Sequence, residues 1–256
     1  MKGLWVITHH SLRSLFLSPL AWSVIAVLLG LGGYMFVGAV VNYRQALSQY
    51  TRYGVDQLPL TDFTMLPLLG NLAILLLLLT PMLTMGSIAG EKRAGSWPAL
   101  MASPLTPGTI VLGKFFGLWL FLVLLLALFL LMPLSLTPFG VLDWGQVMTG
   151  MVGLWLLVGV FCAVGVATSA HAENPVMAGL FAFALLLLLW IIGWLAGSGG
   201  AVWQQLLMRV SLMNSFQNCL DGSLRLWDLV YLLGLSGFSL FLATLRLHLQ
   251  RVVGGG

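Results

Sequence analysis

The sequence is poor in charge. Only 7% of its 256 residues are Asp, Glu, Lys or Arg, whereas a soluble globular domain carries roughly 25%. A chain with so few charged groups cannot cover a water-facing surface, so lipid must surround most of its length. Apolar residues make up 60% of the sequence, and the mean hydropathy is +1.03. We therefore expect an all-α integral membrane protein, organised as a single transmembrane domain over residues 1–256.

Several kinds of chemistry are also missing. Cys162 lies in an apolar run and Cys219 in a loop-like stretch, without metal-ligand spacing or a paired framework. None of the four histidines has the H-E-x-x-H spacing of a zinc protease. The eleven basic residues are scattered and form no stripe that would bind nucleic acid. We expect no catalytic residue, no metal site and no cofactor on this chain.

One motif resembles a phosphate loop but lacks a residue that such a loop requires. The stretch from Gly108 to Lys114 fits G-x-x-x-x-G-K, but Phe115 stands where Ser or Thr must hold magnesium. The stretch also opens a membrane helix instead of following a strand. We therefore interpret Gly113 as a position that permits close helix packing. Lys114 would mark the boundary of its span, with its stem reaching to the interface.

Six apolar runs are long enough to cross a bilayer, which takes roughly twenty residues. They cover about Leu20–Val41, Met65–Ile88, Ile110–Pro133, Val147–Ser169, Val176–Gly197 and Leu226–Leu247. Each should be helical, because lipid offers the backbone no hydrogen-bond partner. No charged residue or histidine lies in the middle of a run. A proton- or ion-coupled pump usually needs such a residue, so energy for transport would come from outside the membrane.

The basic residues predict the orientation. With a cytoplasmic N-terminus, seven of the eleven fall inside, as the positive-inside rule requires: Lys2, Arg13, Lys92, Arg93, Lys114, Arg246 and Arg251. The other four fall outside: Arg44, Arg52, Arg209 and Arg225. This predicts a multi-pass protein of the bacterial inner membrane with both termini in the cytoplasm.

Four segments do not span. Residues 1–18 form an amphipathic stretch, for which we predict a helix in the interface plane. Residues 42–64 form a polar outer loop, and residues 89–109 an inner loop. Residues 198–225 are too polar to span, and we predict two short helices that dip into the outer leaflet.

The inner loop carries the strongest local signal. Gly90-Glu91-Lys92-Arg93-Ala94-Gly95 places three charges together at the end of the second span. Ser96 is a candidate N-cap for a short helix that Trp97-Pro98 would begin and Pro104 and Pro107 would end. An ordinary positive-inside loop is the alternative interpretation.

These residues resemble the region between the second and third spans of type-2 ABC exporter permeases. The motifs that carry the likeness are Gly90-Glu91-Lys92-Arg93-x-Gly95-Ser96, Leu100, Ser103-Pro104 and Ile110-Val-Leu-Gly113-Lys114. Within that family the pattern is most similar to the gliding-motility-type permeases and their copper-enzyme-maturation relatives. The junction Ala172-Glu173-Asn174-Pro175 is similar to that group's passage from span four to span five. The group's entry to the last span is matched by Gly222, Asp228, Tyr231 and Leu232.

The resemblance implies a function. Such a permease works with a second permease, the same chain or a homologue, and with two copies of an ABC ATPase that binds MgATP. Residues 91–104 would form the coupling helix that seats in the ATPase, with Glu173 and Asn174 as a second cytoplasmic contact. Membrane lipid and a periplasmic auxiliary protein are further candidate partners. The chain itself would not be an enzyme.

Two departures from the family's pattern stand out. Ser96 and Pro98 replace the usual Thr and Glu after the glycine. Asp221 and Arg225 exchange the usual signs around Gly222, although an i,i+4 ion pair would survive the exchange. Two alternatives stay open: a scaffold or maturation platform driven by an associated ATPase, without transport, and an intramembrane enzyme using Glu173 or Asp221.

Overall fold

The computed structural model describes residues 2–51, 59–95, 97, 105–137, 142–194 and 201–253. Within those ranges the chain is helical and has no strands, as predicted. The helices are α1 (Lys2–Leu17), α2 (Pro19–Thr51), α3 (Leu66–Thr84, preceded by a π-turn over Thr61–Met65), α4 (Ala89–Arg93), α5 (Pro107–Phe129), α6 (Leu131–Leu136), α7 (Trp144–His171), α8 (Pro175–Ile191), α9 (Ala201–Val210), α10 (Leu212–Leu220) and α11 (Leu226–Val253).

In the part of the chain that the structure describes, six helical runs are long and apolar enough to cross a membrane, which agrees with the predicted number. Five of them, around α2, α3, α5, α7 and α11, extend past the predicted limits. The largest difference is at α2. Residues 42–51, predicted as part of an outer loop, continue this helix to Thr51. They contain no Gly or Pro, so nothing in this stretch breaks the helix where the apolar residues end.

The helix ends follow local sequence rules. Thr106, Asp143, Asn174 and Ser211 each accept a hydrogen bond from a backbone N–H in the first turn of the next helix. Pro107, predicted to end a coupling helix, instead stands in the first turn of α5. Proline is favoured there because its missing N–H would have no intrahelical partner.

Helix α7 is the centre of the bundle. It packs against α3, α5, α8, α10 and α11, and its glycines allow the closest approaches. A Cβ on Gly153 would lie 2.5 Å from Cβ of Cys219 in α10, and one on Gly165 would overlap Thr84 of α3. In contrast, α2, α8 and α11 keep most of their apolar surface exposed, as expected of helices that face lipid or another membrane subunit.

Two short helices, α9 and α10, connect span five to span six, which confirms that part of the prediction. Cys219, expected in a loop, lies buried in α10. The α10 helix seats against α7, where Gly150 leaves room for Leu220 and Gly153 for Cys219. It is therefore part of the helical core and not a surface loop.

Candidate functional site

The strongest sequence signal maps to a compact turn, residues 87–95, which we call the charged segment. Bends at Ser87 and Ile88 lead into α4, and Gly95 follows that helix with a φ of +72°. The Gly95 N–H donates to the carbonyl of Lys92 at 3.2 Å. Only glycine adopts this left-handed conformation without strain, so Gly95 is a C-terminal stop for α4.

An ion pair fastens the charged segment to span three. Lys114 Nζ lies 2.6 Å from Glu91 Oε1, and it also donates to the carbonyl of Ser87. The Lys114 side chain is 9% exposed and that of Glu91 is 32% exposed. Lys114, predicted to reach out to the interface, is therefore turned inward. Desolvating its ammonium is tolerable because the carboxylate and the carbonyl replace water.

A second set of contacts fastens the same segment to span four. Ser169 Oγ accepts hydrogen bonds from the N–H groups of Ile88 and Ala89, each at 3.0 Å, and donates to the carbonyl of Met85. Lys92 Nζ donates to the carbonyls of Ala170 at 2.6 Å and Ala172 at 3.3 Å. A cation at this position also interacts favourably with the helix dipole of α7.

The far side of the charged segment is open. Arg93, Ala94 and Gly95 are exposed. The Lys92 ammonium lies 5.6 Å from the centre of the Trp97 ring, a cation–π distance. The turn thus presents an exposed end that carries Arg93, while its inner face contacts α5 and α7.

Of the other residues predicted to contact the ATPase, some lie among the described residues and some lie outside them. Ser96, Leu100 and Pro104 lie outside the described residues, and so does most of the helix predicted over residues 91–104. Glu173 and Asn174 are exposed at the junction between α7 and α8. Asn174 caps α8, because its side chain accepts a hydrogen bond from the backbone N–H of Val176 at 3.1 Å. Gly90 lies half-buried in α4, and Gly113 lies buried in α5.

Gly113 lets α1 approach α5 closely. A Cβ on Gly113 would lie 2.6 Å from Ile7 Cγ2, and one on Gly117 would lie 2.7 Å from Ser11 Cβ. Further along, the ring centroids of Phe16 and Phe121 lie 5.1 Å apart. The contacts follow the same order along both helices, so α1 runs parallel to the first half of α5. Because α5 contains Lys114, α1 packs on the helix that holds the charged segment.

At the opposite end of the bundle one prediction is wrong. Asp221 and Arg225 do not form the expected i,i+4 ion pair: the Lys114–Glu91 pair is the only one within the described residues. The reason is backbone geometry, because Asp221 ends α10, Gly222 has a φ of +79°, and the chain is not helical again until Leu226. Nearby, the hydroxyl of Tyr231 donates a hydrogen bond to the backbone carbonyl of Val210.

Sequence reasoning missed three polar residues that organise these ends. Ser169 and Ser87 gave no signal, because a serine at the end of a span is ordinary. Asp228, matched only through the family pattern, is 4% exposed and accepts a hydrogen bond from Asn218 Nδ2 at 3.1 Å. The ten-residue separation gave no reason to pair these two side chains.

The described residues hold no group of three or more His, Cys, Asp or Glu that could bind a metal. Burial raises the pKa of the Cys219 thiol to about 11, with a further contribution from the nearby Asp228 carboxylate. Such a thiol is a poor nucleophile at neutral pH, because the thiolate is the reactive form.

Comparison with known proteins agrees with this picture. The family described as "ABC-2 family transporter protein" matches residues 37–246, which include all of the charged segment, all or most of the last five spans and the C-terminal part of the first. No curated protein matches the chain. The match covers most of the sequence, and we conclude that the chain belongs to the ABC-2 family of membrane transporters.

Proposed function

We propose that this chain is the permease subunit of an ABC exporter. It would move a substrate out of the cytoplasm or the inner membrane by alternating access, driven by a separate ATPase. Membership of the family supports the general role. The observation that carries the proposal is the double attachment of the charged segment, to α5 through Lys114 and to α7 through Ser169 and Lys92.

This attachment would transmit force. Contact of an ATPase with the exposed end at Arg93–Gly95 would displace a turn that cannot move without moving α5, α7 or both. Since α7 contacts most of the other spans, such a push would bias the packing of the whole bundle. ATP binding and release would then favour alternative arrangements of the helices.

In this proposal the charged segment and both termini face the cytoplasm. Support comes from the placement of basic residues: Arg251 Nη1 donates to the carbonyl of Leu105 at 2.9 Å, and Lys92, Arg93 and Lys114 lie at the same end of the bundle. The working unit would contain two permeases and two ATPase subunits. The exposed apolar faces of α2, α8 and α11 are available to lipid and to the second permease.

Two measurements test the proposal. A tagged form of the chain, purified from its native membrane in mild detergent, should bring down an ATP-binding polypeptide and an ATPase activity. In sealed, right-side-out vesicles, an impermeant maleimide should label Arg225→Cys but not Arg93→Cys, and inside-out vesicles should reverse the result. Labelling of Arg93→Cys from outside, or repeated purification without an ATPase, would rule the proposal out.

A further inference from the structure

A cavity of about 320 Å³ with a mixed polar and apolar lining lies between α1, the end of α3, the charged segment and α5; we call it the polar cavity because of the polar side chains in its lining. Its volume is at the lower end of small-ligand sites. The polar groups of its lining include His10, Ser11, Ser14, Ser18, Glu91 and Lys114. Lys114 and Glu91 contribute one charge of each sign, so their pair gives the cavity no net charge.

The cavity contains hydrogen-bonding capacity that the described residues do not use. The Lys114 ammonium has three N–H donors, and two are given to Ser87 and Glu91. Ser87 also lines the cavity, and its hydroxyl is buried without a hydrogen-bond partner among the described residues. The Ser87 hydroxyl has almost no accessible surface, so the remaining Lys114 donor is the group that favours a polar ligand, since buried polar groups are normally satisfied.

An apolar groove of about 280 Å³ adjoins the cavity. It runs between α3 and α8 and is lined by Leu78, Pro81, Met82, Met85, Val176 and Leu180, among others. Met82 and Met85 line both the groove and the polar cavity. The two spaces therefore share these two side chains as a common wall at the end of α3, and together they make one candidate amphipathic site.

The site has the depth profile of a lipid. Met85 directly follows the end of α3, and Leu78 lies seven residues further in, or about 10 Å along a helix. On the other wall, α8 begins at Pro175, so Val176 lies at the same end as Met85. The polar cavity thus lies at the helix ends and the groove points into the membrane, as the headgroup and an acyl chain of a phospholipid do.

We propose that the cavity and groove bind one phospholipid with an ethanolamine headgroup. Lys114 and the serine hydroxyls that line the cavity would hold the phosphate. The ammonium of the headgroup would donate to hydroxyl and carboxylate oxygens near Glu91. A choline headgroup has no N–H to donate, and a net-anionic headgroup would place uncompensated negative charge beside Glu91. The inference concerns this chain alone and does not depend on an ATPase.

Native mass spectrometry of the purified, delipidated full-length chain tests this directly. Palmitoyl-oleoyl lipids with ethanolamine, choline or glycerol headgroups are added in turn. We expect one ethanolamine lipid per chain, bound about ten-fold more tightly than the other two. Equal binding of all three lipids, or tighter binding of the glycerol lipid, would overturn the headgroup assignment.

Glycine substitutions test the groove. A Cβ on Gly179 would lie 3.3 Å from Met85 Cβ, so Gly179→Leu fills the groove. Gly30→Leu is the matched control, because no atom lies within 4 Å of the position its Cβ would take, in the middle of α2. Gly179→Leu should weaken lipid binding about ten-fold while Gly30→Leu leaves it unchanged. If both variants bind the lipid with equal affinity, the acyl chain does not occupy the groove, and the proposal is overturned.

A charge substitution tests the cavity without disturbing the core. Ser14 is exposed and lines the cavity, so Ser14→Lys should fold and make the lining positive. It should shift the preference toward the anionic glycerol lipid by several-fold. His9→Lys, on the same helix but outside the lining, should leave the preference unchanged. An identical shift in both variants would mean that only the general surface charge matters, and would contradict the assigned site.

Discussion

At the residue scale, the Lys114–Glu91 pair is the most informative feature because its partners are unequally buried. Removal of Glu91 leaves a nearly buried ammonium without its counter-ion, whereas removal of Lys114 leaves a carboxylate that is 32% exposed. Glu91→Ala should therefore lower the free energy of unfolding by about 2–3 kcal/mol, and Lys114→Met by about 1 kcal/mol. The double variant should lose less free energy of unfolding than the two single variants lose together. Thermal unfolding in detergent measures all three, and strict additivity would mean that the pair does not act as a unit.

Gly95 provides a second test at this scale. Its φ of +72° means that Gly95→Ala forces a side chain into the left-handed region, at a cost of about 1–2 kcal/mol. Gly90→Ala is the control, since a Cβ there meets no atom within 4 Å and Gly90 lies within α4. Limited proteolysis near Arg93 should accelerate in the first variant and not in the second. The same cleavage rate in both would show that the turn does not need glycine.

The two cysteines make a pH-dependent prediction. Both are buried, and the pKa of Cys219 is raised to about 11, so its thiolate fraction at pH 7 is negligible. We expect N-ethylmaleimide to leave the folded chain unlabelled at pH 7, and to label it fully after denaturation in SDS. Raising the pH toward 11 should increase labelling of Cys219 as the thiolate forms. Rapid labelling of the folded protein at pH 7 would contradict the burial of α10.

At the element scale, α1 packs closely against α5, the helix of span three, because Gly113 and Gly117 leave room for it. Gly113→Val should separate the two helices at Ile7 and destabilise the protein by about 1–3 kcal/mol. Ile7→Ala creates space at the same point, so the double variant should recover part of the loss. The midpoint of thermal unfolding reports both effects. Failure of the second substitution to rescue the first would show that the contact with Ile7 is not the cause.

The charged segment makes its own prediction at this scale. Arg93 is exposed at its outer end, so Arg93→Ala should leave the stability of the isolated chain unchanged. The same variant should weaken binding of the ATPase subunit about ten-fold, as the loss of an arginine at an interface often does. Arg225→Ala, an exposed arginine at the opposite end, is the matched control. Equal ATPase binding by both variants would remove Arg93 from the interface.

At the scale of the whole molecule, the sequence predicts the number of spans and the two short helices between α8 and α11, because lipid imposes a long apolar run on every crossing helix. It also places Glu91 and Lys92 together at the end of the second span, where α4 contains both. It does not predict that Glu91 turns inward to Lys114 or that Ser169 holds Ile88. Those contacts join residues 23 and 81 positions apart, and side-chain patterns within one helix contain no information about such pairs. The Asp221–Arg225 error arose from assuming helical spacing across a glycine turn.

The central claim is that the charged segment touches an ATPase, and site-specific photocrosslinking tests it most directly. A photoreactive amino acid would replace Arg93 in one variant and Arg225 in the other, with each complex purified from native membranes and illuminated. The account predicts a covalent adduct with an ATP-binding polypeptide from position 93 and none from position 225. An adduct from position 225 alone, or none from position 93 in a complex that retains the ATPase, would contradict it.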